Sequence, residues 1–220
     1  MELYEVMRTT FAARDFTDDP LPDSVLERIL DNARFAPSGG NRQGWHVIAV
    51  RNQDTRERLV DLAGPAIKRY IAQVKAGENP WNAMHPTEVS DETIEATPVA
   101  SFLTNQFLQS PVVLMLCVDL GVVASMDQYL DRVGVISGAS IYPLAWNILL
   151  AARNEGFGGT LTTFLSATEP EVQSLLGIPP HFAVAAAITL GKPVKQLTKL
   201  SRKPVNEIAT WERFDGKPIG

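Results

Sequence analysis

The spacing of apolar positions changes repeatedly along the chain, and each change marks an expected element. Leu3, Val6 and Met7 share one side of a short helix over 2–9, and Pro20 and Pro22 then break the pattern. Val25, Leu26, Ile29, Leu30 and Ala33 recur at helical spacing behind Ser24 and Glu27, a pair that fits a capping box. The run WHVIAV at 45–50 is short and rich in β-branched residues, hence a strand. A helix is predicted over 55–75, with Gly64-Pro65 as a point of interruption.

Between about 77 and 105 periodicity fades, and a stretch of that length reads as a lid-like excursion. PVVLMLCV at 111–118 has the continuous apolar character of a strand buried on both faces. The segment 129–156 is apolar all round, which predicts one long helix through the centre, kinked near Pro143 and ended by Gly156. TLTTFL at 160–165 reads as extended. A helix at 168–176 follows, with Thr168 and Glu171 as its capping box and Pro170 in the first turn. FAVAAAITLG at 182–191 is the last strand, and a C-terminal arm begins at about 192. Trp211 and Phe214 on that arm need a hydrophobic surface to cover them.

Composition narrows the class. The 220 residues, 45% of them hydrophobic, suffice for one sizeable core, and no linker, repeat or low-complexity tract divides them, so one domain over 1–220 is expected. Twenty basic against 25 acidic residues leave a net charge of −5, with no basic footprint for a nucleic-acid partner. The opening residues lack the apolar core of a signal peptide, and no run approaches the ~18 apolar residues of a membrane span. A soluble cytoplasmic protein with no membrane partner is the resulting expectation. The single Cys117, inside an apolar run, reads as a structural thiol.

Side-chain catalysis finds no support. His46, His85 and His181 are scattered without metal-ligand spacing, and neither a G-x-S-x-G elbow nor a phosphate-binding glycine loop follows a strand. Polar and cationic residues remain, at separated points: Arg8 and Arg14; Ser38, Asn41, Arg42 and Gln43; Thr160, Thr162 and Thr163; Lys199, Arg202 and Lys203. Taken singly, each is what a surface or a turn carries. Jointly they suit a ligand with a phosphate and a long polar middle, which would bring its own reactivity. The loop at 36–45, APSGGNRQGW, would let backbone approach such a ligand through Gly39 and Gly40.

Pro37, Ser38, Asn41, Gln43 and Trp45 carry a resemblance to the FMN-dependent nitroreductase family, a superfamily that includes iodotyrosine deiodinase; the family motif runs Pro-Ser-x-x-Asn-x-Gln-Pro-Trp, and Gly44 replaces its second proline. The resemblance spans nearly the whole chain. Arg202-Lys203-Pro204 is similar to the element that the family places on the flavin phosphate. Arg14 and Phe16 match the end of the family's Arg-Arg-Ser-x-Arg-x-Phe motif, whereas Thr10, Phe11 and Ala12 depart from its start. That departure removes two expected partners at about 1.5–3 kcal/mol for a hydrogen bond to a charged group, lowering the expected affinity for FMN. Arg8, one helical turn or less away, is a candidate to compensate.

The resemblance implies an α+β fold with a mainly antiparallel central sheet flanked by helices, in an intertwined homodimer whose interface holds the flavin. Implied cofactor-binding residues are Arg8, Arg14, Pro37, Ser38, Gly39, Asn41, Gln43, Thr162, Thr163 and Arg202, with Thr162 also placed to tune flavin N5. The implied activity is ping-pong transfer from NADPH or NADH, through FMN, to a nitroaromatic, quinone or similar small acceptor. A reductive dehalogenase-like flavoenzyme and a non-catalytic flavin-binding protein are the alternatives.

Overall fold

The computed structural model describes all 220 residues. Four antiparallel strands form one sheet in the order β1-β2-β4-β3: β1 (Trp45–Val50), β2 (Val112–Asp119), β3 (Gly158–Thr162) and β4 (Phe182–Gly191). Seven helices pack on it: α1 (Leu3–Thr9), α2 (Asp23–Ala33), α3 (Gln53–Lys75), α4 (Asp91–Ala96), α5 (Ser101–Gln109), α6 (Tyr142–Asn154) and α7 (Glu169–Leu176).

Alternation along β2 divides the core. Val112, Leu114, Leu116 and Val118 face one layer, with Ile29 and Ala33 of α2 and Leu144, Ala145 and Ile148 of α6. Val113, Met115 and Cys117 face the other, with Leu59, Ala63 and Ile67 of α3, Phe107 of α5 and Val172 of α7. Side chains on a strand point to opposite faces with period two, so an all-apolar β2 can serve both layers. Cys117 lies in this core as expected, and burial pushes its thiol up to about 11, far from nucleophilic use at neutral pH.

Several local expectations change. No capping box forms at either predicted place. Pro22 precedes α2 without a side-chain cap, the Thr168 hydroxyl donates to Leu62 O at 3.0 Å, and Pro170 does sit in the first turn of α7. Pro65 leaves α3 unbroken over 23 residues. The single helix predicted over 129–156 is absent. Turns fill the stretch up to 135, a 3-10 turn covers Ile136–Ser140, and Pro143 begins α6 instead of kinking it. Proline is pre-organised for a first turn, where its missing N–H costs no hydrogen bond.

α6 is covered on one side only, with Tyr142 and Trp146 each more than 40% exposed on the other. The excursion is also more ordered than its composition predicts, since it contains α4 and the start of α5. Ser90 caps α4 by accepting from Thr93 N at 3.2 Å, with Asp91 and Glu92 in the first turn. TLTTFL is extended only through Thr162; Phe164–Thr168 is a 3-10 turn. Trp211 and Phe214 find no cover on their own chain, at 54% and 102% exposed.

Candidate functional site

The β3 edge of the sheet is prepared by glycines. Ala12 bridges to Gly159 in parallel, Ala13 N donates to Gly159 O at 3.1 Å, and Phe16 bridges to Pro193. The glycines also leave room for the β4 side of the sheet: a Cβ on Gly158 would lie 2.8 Å from Pro193 and 3.4 Å from the Ala13 Cβ, and one on Gly159 only 2.2 Å from Thr189 O of β4. The arm 10–16 is thereby clamped alongside β3, and Arg14 lines a cleft of about 710 Å³ over the end of that strand.

Several elements build this cleft. Thr160, Leu161 and Thr162 come from β3 and Thr163 and Phe164 from the following turn; Tyr70 comes from α3, Gln106 from α5, and Pro80 and Trp81 from the excursion. Tyr70 and Phe164 meet edge to face at 5.7 Å. A second hollow of about 420 Å³ adjoins it, sharing Tyr142, Thr160 and Leu161 and adding Phe11, Ala12, Trp146 and Arg202. Each hollow thus has one arginine, and neither Arg14 nor Arg202 is in a salt bridge. Their only side-chain hydrogen bonds run to neighbouring carbonyls, Ala12 O at 3.4 Å and Ser201 O at 2.7 Å. Two cations are left free for an anion.

A β-bulge opens the cleft floor. The β2–β4 register steps from Leu116↔Ala186 to Cys117↔Val184, so Ala185 has no partner opposite it. Its carbonyl instead accepts from the Tyr142 hydroxyl at 3.4 Å, and Ala185 lines the cleft. Bulges recur beside ligand sites because they free backbone from the ladder. Ser166 Oγ donates to Val184 O at 2.7 Å, and Glu169 Oε2 accepts from Val184 N at 2.5 Å, which fixes the strand on the other side of the step.

Two buried polar atoms in the cleft residues have no partner within the chain. They are Thr160 Oγ1 and Gln106 Oε1, on residues 2% and 1% exposed. Buried polar groups are nearly always paired, so orphans at a cleft mark where a ligand or water belongs.

The remaining candidates fold elsewhere. Arg8, in the last turn of α1, lines neither hollow. Nor do Pro37, Ser38, Gly39, Asn41 and Gln43. Their loop is closed on itself: Ser38 Oγ accepts from Gln43 N at 2.9 Å, and Gly39 N donates to Ser140 Oγ at 3.2 Å. Gly40, Asn41 and Gln43 all have positive φ, at 62°, 52° and 50°. Two non-glycine residues in that region within one short loop are a concentration of strain of the kind found at binding loops. Gly44, where the family motif has proline, is accounted for by its neighbour, because a Cβ there would lie 2.3 Å from Val122 Cγ2.

Sequence reasoning passed over Tyr70, Trp81, Gln106, Tyr142 and Trp146. Only Trp146 carried a local signal, one turn after Tyr142 on the same helix face.

Antiparallel sheet, flanking helices and a double hollow at one sheet edge define an α+β protein with a cleft at that edge. The chain belongs to the nitroreductase family, whose model matches residues 7–192. It is similar to an NADH dehydrogenase of Thermus thermophilus, 27% identical over 207 residues that cover 90% of each chain. It is also similar to human iodotyrosine deiodinase 1, 24% identical over 94% of this chain and 67% of that one. A crystal structure of iodotyrosine deiodinase bound to FMN and 3-iodo-L-tyrosine shares the fold, with a TM-score of 0.69 at 18% identity over 97% of this chain and 100% of that one. The nitroreductase-like α+β fold expected from the sequence is therefore the fold of this chain.

Proposed function

We propose that the chain is an FMN-dependent oxidoreductase, a homodimer that uses NADPH or NADH to reduce a nitroaromatic, quinone or similar small acceptor. The observation that carries this reading is the pair of adjoining hollows, each with an arginine free of any carboxylate. Family membership, the NADH-linked relative and the FMN-bound structural neighbour support it. The residues present fit FMN: free guanidinium groups suit a phosphate, and the unpaired Thr160 Oγ1 and Gln106 Oε1 suit polar atoms of a ligand.

When bound, FMN supplies the redox chemistry, accepting a hydride from the nicotinamide and passing the electrons to the acceptor in ping-pong fashion. The chain binds and orients. Arg14 and Arg202 would hold the phosphate through charge-assisted hydrogen bonds, and the Thr162 hydroxyl and Thr163 backbone would offer the flavin donors that do not titrate near neutral pH. Tyr70 and Phe164 line the same cleft and would border a small acceptor there. Pro37, Ser38, Gly39, Asn41 and Gln43 would complete the site from the partner subunit, a role supported by their strained loop and by its place outside their own chain's hollows. Arg8 stays in reserve as a weaker phosphate partner. It is needed because Thr10 donates its hydroxyl to Val6 O at 2.8 Å and cannot replace the arginine of the family motif.

Similarity to iodotyrosine deiodinase favours one second reading, reductive dehalogenation by the same flavin site. Steady-state NADPH and NADH oxidation by the FMN-loaded protein, with a nitroaromatic, a quinone and 3-iodo-L-tyrosine as acceptors, separates the readings. Oxidation driven by the first two supports the proposal, and iodide release with the third supports dehalogenation. Bound flavin without turnover on any acceptor leaves a flavin-binding protein. In the same assay Thr162→Ala keeps FMN occupancy and changes turnover, because the phosphate anchors lie elsewhere.

A further inference from the structure

Trp81 stands in an improbable conformation that the surrounding residues impose. Its φ is +55°, a region that bulky side chains rarely adopt. One atom set holds it there. Gln73, in α3 and only 2% exposed, accepts from Trp81 N through Oε1 at 3.2 Å and donates through Nε2 to Glu78 Oε2 at 3.0 Å. The Glu78 carboxylate also accepts from Thr87 Oγ1 at 2.6 Å and from Glu88 N at 2.8 Å. The excursion from 78 to 88 is thereby folded back on itself and tied to α3. Arg69, one turn before Gln73, places its guanidinium carbon 4.6 Å from the centre of the indole ring. One face of Trp81 is thus backed by a cation, while the residue remains 46% exposed and lines the large cleft.

We infer that Trp81 is a specificity-determining residue that stacks on a planar aromatic acceptor, and that Gln73 and Glu78 are positioning residues that hold it over the cleft. The inference rests on the oxidoreductase reading for the word acceptor, but the stacking surface itself does not require turnover. A ring fixed in advance loses little conformational freedom on binding, so a flat ligand gains the contact at low entropic cost. Without the clasp the backbone at Trp81 would relax from its strained φ and carry the indole away from the cleft. Acceptors with no flat ring should be indifferent to the clasp. A planar nitroaromatic or quinone should depend on it.

Calorimetric titration of the purified protein with 2-naphthol, a planar probe that needs no reduction, tests the stacking surface directly. Trp81→Ala raises the Kd about fivefold and Trp81→Phe keeps it within about twofold of wild type, as expected for loss and retention of an aromatic contact. Gln73→Leu weakens binding by a similar factor, yet adds nothing in the Trp81→Ala background, because both changes remove one contact. In turnover, Trp81→Ala and Gln73→Leu raise KM for a planar nitroaromatic by a similar factor.

A naphthol Kd unmoved by Trp81→Ala overturns the inference, as does a double variant whose effect is the product of the two singles. Trp81 is exposed, so its substitution tests the surface even where Gln73→Leu fails to fold. Absence of NAD(P)H oxidation in the wild type would refute the oxidoreductase reading instead, with the titration still deciding the role of Trp81.

Discussion

Arg14 and Arg202 reach adjoining hollows from opposite ends of the chain, one clamped on the β3 edge and the other on the C-terminal arm. An FMN phosphate carries about 1.5–2 negative charges if it titrates like other phosphate monoesters, and loss of one charge-assisted contact costs about 1.5–3 kcal/mol. Arg202→Ala and Arg14→Ala should each raise the FMN Kd by at least about tenfold in moderate salt, measured by quenching of flavin fluorescence. Arg8→Ala should have a smaller effect. Gly159 is as constrained as the arginines are free. Gly159→Ala forces a methyl against Thr189 O, at a cost of about 1–3 kcal/mol, and thermal denaturation should show a Tm lowered by several degrees.

At the scale of elements, the excursion behaves as a clasped loop. The Thr87 hydroxyl first, then the Glu88 amide, hold the Glu78 carboxyl below the ordinary carboxylate range. A depressed carboxylate stabilises its fold above its unfolded pKa and loses that contribution as pH falls through the folded value. His85 and Glu88 share the polar hollow with it. Protection factors of the 78–88 amides, with exchange corrected for its intrinsic pH dependence, should therefore fall on acidification more than those of β2, and Glu78→Gln should remove that difference.

Elements set by local pattern were legible in the sequence, among them β1 and β4, whose bounds match the apolar runs at 45–50 and 182–191. The all-apolar reading of 129–156 fails at its start, where Val133 and Val135 lie 60% and 64% exposed. Sequence cannot distinguish an apolar residue buried in its own chain from one awaiting another surface. Ser90, Asp91 and Glu92 did carry the signal of a helix start inside the excursion. Arg14 and Arg202 could be singled out as cations matching family motifs, and Thr162 and Thr163 as polar residues after Gly158-Gly159, while Tyr70, Trp81 and Gln106 join them only through the packing of α3, the excursion and α5.

At the scale of the molecule, much apolar surface lacks cover. Met126, Tyr129, Phe35 and Phe214 are all more than 70% exposed, and no residue of the strained 37–43 loop lines either hollow of its own chain. An intertwined dimer would bury such residues and bring that loop to the partner's cleft. Light scattering should give about twice the 24.1 kDa chain mass, and a stable monomer that holds flavin would refute the shared site. The same assembly predicts that Asn41→Ala lowers flavin affinity even though Asn41 lines neither hollow of its own chain.

FMN binding and its reduction by a nicotinamide can be read in one spectrum. The visible absorption spectrum of the protein, incubated with FMN, desalted and then titrated with NADPH or NADH without oxygen, tests both most directly. Flavin bands should survive desalting, bleach with the nicotinamide and return when a nitroaromatic or quinone is added. A desalted protein with no absorbance in the flavin region would contradict the proposed function.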